Sequence, residues 1–132
     1  MTDSDELEAL RERKRQELLA AASAPETPDT PVSIESEAQF QELLAENSVV
    51  LVDFYADWCG PCQMLAPTVE AIAAETDAAV AKVDIDANQS LAANYQVQGV
   101  PTLYLFVDGE PVERMVGVQE KGSLVASIES HS

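Results

Sequence analysis

Cys59 and Cys62 are all the thiols in this 132-residue chain, and they fall together in Trp58-Cys59-Gly60-Pro61-Cys62. A pair at that spacing can bind zinc, anchor a haem, close a small loop or exchange disulfides with another molecule. Zinc needs four ligands, and beyond the two thiols the only soft ligand is His131, far along the chain. A haem site needs His after the second cysteine, where Gln63 stands. A structural disulfide over so short a loop restricts the unfolded chain by only about 2 kcal/mol in the loop-entropy model. Redox exchange is the economical reading, and no metal is expected. The apolar run Val49 to Tyr55 just upstream reads as a buried strand, which places the dithiol at a strand-to-helix junction. Gly60 and Pro61 lead into the first helical turn, where Pro is tolerated because its missing N–H has no partner to lose. The free N–H groups and the positive end of the helix dipole favour a thiolate on Cys59, the reactive form of the side chain.

Several elements have to position this pair. Val32 to Ile34 is a short strand candidate, and Glu37 to Glu46 spaces Phe40, Leu43 and Leu44 along one helical face. The helix after the cysteines should turn Met64, Leu65, Val69 and Ile72 inward and kink at Pro67. Ala79 to Ile85 alternates as a strand, Gln89 to Tyr95 is a short helix, and Gln98 to Pro101 is a turn. Thr102 to Val107 and Pro111 to Val116 are strands joined by an Asp108-Gly109 hairpin, and Glu120 to Glu129 closes as a helix. The order β-α-β-α-β-α-β-β-α predicts an α/β fold, a mixed central sheet flanked by helices on both faces. Ahead of it lies a charged arm, residues 1–22, with Leu7, Leu10 and Leu18 near one face; it reads as a solvated arm or as a docking helix. Residues 23–31, with three prolines, are a linker, and 32–132 form the compact domain.

Composition bounds what the domain can meet. Seven Lys and Arg against 24 Asp and Glu give a net charge of -17, which excludes a general affinity for nucleic acid or anionic membrane. Residues 24–132 alone hold 18 acids and three bases. No apolar stretch approaches the roughly 20 residues of a membrane span. Arg11 to Arg15 followed by Leu18 to Ala24 resembles a secretory leader poorly, because Gln16 and Glu17 interrupt it and its apolar part is short. Two cysteines used as one close pair suit a reducing compartment, so a cytoplasmic location is expected. So many like charges predict a domain that needs salt, hence a salt-adapted, halophilic source; a merely acidic protein is the alternative. No phosphate-cradling Gly loop or Ser/His/Asp set is visible.

Leu51 to Cys62 (LVDFYADWCGPC), Ala81 to Asp86 (AKVDID), Gly99 to Thr102 (GVPT), Asp108-Gly109 and Val116-Gly117 resemble the thioredoxin family in order and spacing. The resemblance spans Val32 to Ile128 and leaves the arm outside. It implies a thioredoxin fold and a catalytic set of Cys59, Cys62, Asp53 and Lys82. Cys59 would attack a substrate disulfide and Cys62 would resolve the mixed disulfide. Asp53 would be a buried carboxyl behind Cys62, its pKa raised so that it handles the Cys62 proton. Read from the residues alone, Asp53 could also be a strand-end polar group and Lys82 a surface lysine. The resemblance further implies that Pro101 is cis, where X-Pro statistics alone predict trans. It leaves the Val100 backbone free to pair with a substrate strand. Trp58, Gly60, Pro61, Ile85, Val100, Pro101 and Gly117 would form the substrate surface. Gln63 and Tyr55 depart from the family's usual lysine and tryptophan, the first removing a positive charge near Cys59.

The expected activity is reduction of protein disulfides by a monomer that carries no cofactor and is recharged by thioredoxin reductase. A glutaredoxin-like enzyme and a thioredoxin-fold binding or chaperone module are the rivals. Glutathione dependence separates the first, and failure to reduce an insulin-type disulfide would point to the second.

Overall fold

The computed structural model describes residues 7–13 and 27–131. Residues 7–13 are helical; the rest of the expected arm and residues 23–26 of the expected linker lie outside the described residues. From residue 32 onward the elements are β1 (Val32–Ser33), α1 (Glu37–Glu46), β2 (Val49–Tyr55), α2 (Gly60–Glu75), β3 (Ala79–Asp84), α3 (Gln89–Asn94), β4 (Thr102–Val107), β5 (Glu110–Val116) and α4 (Lys121–Ser130). The sheet order is β1-β3-β2-β4-β5, parallel for β1–β3 and β3–β2 and antiparallel for β2–β4 and β4–β5. This is the mixed α/β arrangement that the alternating elements predict, with most boundaries shifted by a residue or less.

β2 is central because its residues are apolar on both faces, as a strand covered from both sides must be. Its even-numbered side chains, Val50, Val52 and Phe54, pack with Phe40, Leu43 and Leu44 of α1 and with Phe106. Its odd-numbered ones, Val49 and Leu51, pack with Leu65, Val69 and Ile72 of α2 and with Leu124 and Ile128 of α4. Asp53 continues the odd series and therefore faces the α2 side. α1 starts where Ser36 Oγ accepts the Gln39 N–H at 3.1 Å, while Gln39 Oε1 accepts the Glu35 N–H at 2.7 Å. The β4–β5 hairpin turns through Asp108 and Gly109, both at positive φ (51° and 84°), the primed geometry that suits the twist of paired strands.

Met64 corrects the expected core. It is 72% exposed, whereas Cys62, Leu65, Val69, Ile72 and Ala73 form the buried stripe of α2. At 3.6 residues per turn Met64 points about 130° away from the middle of that stripe. α2 is a single helix from Gly60 to Glu75, with Pro67 inside it.

Candidate active site

β2 delivers the chain to the dithiol. After Tyr55 the strand ends, the Cys59 N–H donates to the Ala56 carbonyl at 3.1 Å, and α2 begins at Gly60. Cys59 is the N-cap of α2: its Sγ accepts the Cys62 N–H at 3.2 Å, the role a Ser or Asp oxygen fills elsewhere. A sulfur at this position receives an orphan backbone donor and sits at the positive end of the helix dipole, and both effects favour the thiolate when the pair is reduced. The structure holds the pair as a disulfide, with Cα atoms 5.3 Å apart and both residues buried.

Behind the pair, Asp53 is 1% exposed and its Oδ1 has no hydrogen-bond partner. Burial pushes its carboxyl up to about 6, against a smaller lowering by the charge of Lys82. Lys82 lies beside Asp53 in the β2–β3 register. It also lines, with Tyr55, Asp57, Cys62 and Gln63, a cleft of about 150 Å³ that reaches the buried cysteine. The expected carboxyl and lysine are thus brought to the same side of the sheet as Cys62.

The second wall comes from the loop before β4. The Val100–Pro101 peptide is cis, as the family resemblance implies and the statistics of X-Pro bonds do not. The Val100 carbonyl oxygen lies 3.7 Å from Cys59 Sγ. Thr102 Oγ1 donates to the Gly99 carbonyl at 2.6 Å, and the Gly117 N–H donates to the Pro101 carbonyl at 2.8 Å. Gly117 has φ of 92°, a conformation that glycine adopts without steric cost. Ile85 and Val100 pack against the cysteines and Trp58, Gly60 and Pro61 adjoin them in the chain, so five of the expected surface residues adjoin or contact the dithiol, and Pro101 follows Val100 through the cis bond. Trp58 is 70% exposed, and its Nε1 donates to Asp86 Oδ2 at 2.9 Å. That anchor is legible only as a second acid in the Asp84-Ile85-Asp86 run, 28 residues from the ring it holds. Gln63, where the family often has lysine, donates from Nε2 to the Asp57 carbonyl at 3.3 Å.

A helix-capping disulfide with a buried carboxyl on the sheet behind it is equipped to trade one disulfide for another, and the class so defined is the thiol-disulfide oxidoreductases. Residues 31–130 match the Thioredoxin family model, and the chain belongs to the thioredoxin family. It is 52% identical over 89 residues to a thioredoxin of Mycobacterium tuberculosis, covering 66% of this chain and 77% of that one. To a thioredoxin of Chlamydia trachomatis it is 46% identical over 101 residues, 76% of this chain and 98% of that one. Among solved structures it is similar to a mutant thioredoxin from Halobacterium salinarum, with 55% identity, a TM-score of 0.78, and 80% of this chain and 93% of that one covered. Reduction of protein disulfides through Cys59 and Cys62 is accordingly its activity.

Proposed function

We propose that Cys59 is the attacking and Cys62 the resolving sulfur, with Asp53 as proton acceptor. The observation that carries the assignment is the Cys62 N–H donated to Cys59 Sγ at the N-cap, which supports Cys59 as the stabilised thiolate. The thiolate attacks one substrate sulfur, forming a mixed disulfide and expelling the other as a thiolate. Cys62 gives its proton to Asp53 and attacks Cys59 Sγ, releasing the second substrate sulfur and leaving the Cys59–Cys62 disulfide. Two electrons pass to the substrate, and thioredoxin reductase restores the dithiol. The surface of Trp58, Gly60, Pro61, Ile85, Val100, Pro101 and Gly117 receives the substrate chain, which pairs with the Val100 backbone. We assign the protein to the cytoplasm of a salt-adapted organism, acting as a monomer. The acid excess and the similarity to a Halobacterium thioredoxin support that source.

Asp53→Asn tests the proton role. Reduction at pH 7 should slow about 10-fold or more, because a positioned base is lost from the resolving step. The same substitution should stabilise the fold. A folded-state value of about 6 exceeds the unfolded value of about 4, so the folded protein binds this proton more tightly. Stability from that proton is complete below about pH 4 and is lost as pH rises through about 6. Asn carries no such charge, so at pH 8 the variant should gain about 2–3 kcal/mol, with little gain at pH 4. Urea titrations at the two pH values measure this, and a variant less stable at pH 8 would contradict a buried, charge-disfavouring site.

Deleting residues 1–31 should leave the reduction of a small disulfide substrate within about twofold of the full chain, since they hold neither cysteine nor any of the family motifs. A tenfold loss in a Michaelis–Menten comparison would place the arm on the active-site face.

A further inference from the structure

The lysine beside the buried carboxyl does not pair with it. In the parallel β2–β3 register Asp53 stands opposite Lys82, and Tyr55 stands opposite Asp84, so strand alternation puts all four side chains on the α2 side of the sheet. An ammonium with a buried carboxylate for a neighbour ordinarily closes on it, because an unpaired buried charge is costly. Here Lys82 Nζ lies 4.5 Å from the centroid of the Tyr55 ring. Asp53 Oδ1 is left without a partner, and Lys82 makes no ion pair with Asp53 among the described residues. Tyr55 can act as such a seat because it is neutral. Burial raises its phenol, and the charges of Asp84, Asp57 and Asp53 raise it further, so the ring offers its π face and not a phenolate.

We propose that Tyr55 is a positioning residue for the reaction: its ring holds the Lys82 ammonium in the cleft beside Cys62 and clear of the Asp53 carboxyl. The proposal rests on the role given to Asp53 above. With Lys82 seated on the ring, Asp53 forms no ion pair among the described residues and its burial outweighs the lowering by the lysine charge, which leaves it a stronger base toward the Cys62 thiol. The other groups facing this patch are Asp84, Asp57 and Cys62. Asp84 Oδ1 is already engaged by the Asp86 and Ala87 N–H groups at 2.9 and 3.4 Å, and Asp57 is exposed. Without the ring, the most buried carboxyl left for the lysine inside the patch is Asp53, and an opposite charge brought within about 4–6 Å lowers a carboxyl by about 1–3 pH units.

The test is carboxyl-carbon NMR titration of Asp53 in the full chain, run beside the pH dependence of kcat/KM for disulfide reduction. Tyr55→Leu should lower the Asp53 midpoint from about 6 by about one unit or more and carry the acid limb of the rate profile down with it. Tyr55→Phe, which keeps the ring, should change neither, and Tyr55→Leu should have no further effect in a Lys82→Met background. In the unsubstituted protein, the Lys82 ε-methylene protons should show an upfield ring-current shift, a readout that needs no variant to fold. An unshifted ε-methylene signal, an unmoved Asp53 midpoint in Tyr55→Leu, or the same shift in both backgrounds would overturn the seat. A midpoint that moves while the rate profile stays fixed would instead overturn the role of Asp53, and with it any part of Tyr55 in the reaction.

Discussion

Cys59→Ser is expected to bring disulfide reduction down to the rate measured without protein, whereas Cys62→Ser should accumulate substrate adducts. The two cysteines are three residues apart but chemically unequal. Cys59 caps α2 and receives a backbone N–H on its sulfur, the environment that favours a thiolate and on which its proposed role as attacking sulfur rests. Cys62 supplies that N–H and lies in the first turn, on the side of Asp53, the carboxyl proposed to take its proton. Removing Cys59 removes the nucleophile, and serine cannot replace it because a hydroxyl is not ionised near neutral pH. Removing Cys62 leaves the first attack intact and stops the second, so the mixed disulfide persists. Mass spectrometry after alkylation reads both outcomes. Adducts trapped by Cys59→Ser, on Cys62, would reverse the assignment.

Stability should climb with salt, by about 10 °C or more in Tm between 0.05 and 3 M KCl. From Val32 onward the chain carries 16 acids and three bases. The bases offset little of this: Lys121 pairs with Glu75, while Lys82 and Arg114 lie over the rings of Tyr55 and Tyr104. At about 0.01 M salt the screening length is about 30 Å, so acids across the whole domain repel one another; at 1 M it is about 3 Å, and only neighbours do. Relief of even about 2 kcal/mol of repulsion corresponds to about 10 °C for a domain of this size. Melts in chloride run beside sulfate separate screening from the general strengthening of apolar burial. A Tm that stays flat in KCl would remove the salt-adapted reading and leave the dithiol chemistry as it stands.

The fold was legible because its elements obey simple periods. The seven apolar residues before the dithiol, the Phe40/Leu43/Leu44 spacing and the Asp108-Gly109 turn each name a local structure that tertiary packing only confirms. Met64 shows where such reading stops. It is apolar and lies within a helix, yet it stands off the buried stripe by more than a right angle, and hydrophobicity alone does not reveal which flank a helix buries. In the site, Cys59 and Cys62 announce themselves by spacing, and Asp53 by its place in an apolar run. The pairings that organise the site do not, since Trp58 to Asp86 and Tyr55 to Lys82 join residues 28 and 27 positions apart through the β2–β3 crossover. The cis bond before Pro101 is likewise set by tertiary context, and its residues alone predict the commoner trans form.

The most direct measurement is a single-turnover balance of thiols. The fully reduced chain is mixed with an equal amount of a disulfide-containing protein, with no other reductant present, and free thiols on each protein are counted after acid quenching. One substrate disulfide should open for each chain that closes, with Cys59–Cys62 recovered as the sole new disulfide in this chain. A dithiol that stays reduced while the substrate stays oxidised would contradict disulfide reduction through Cys59 and Cys62.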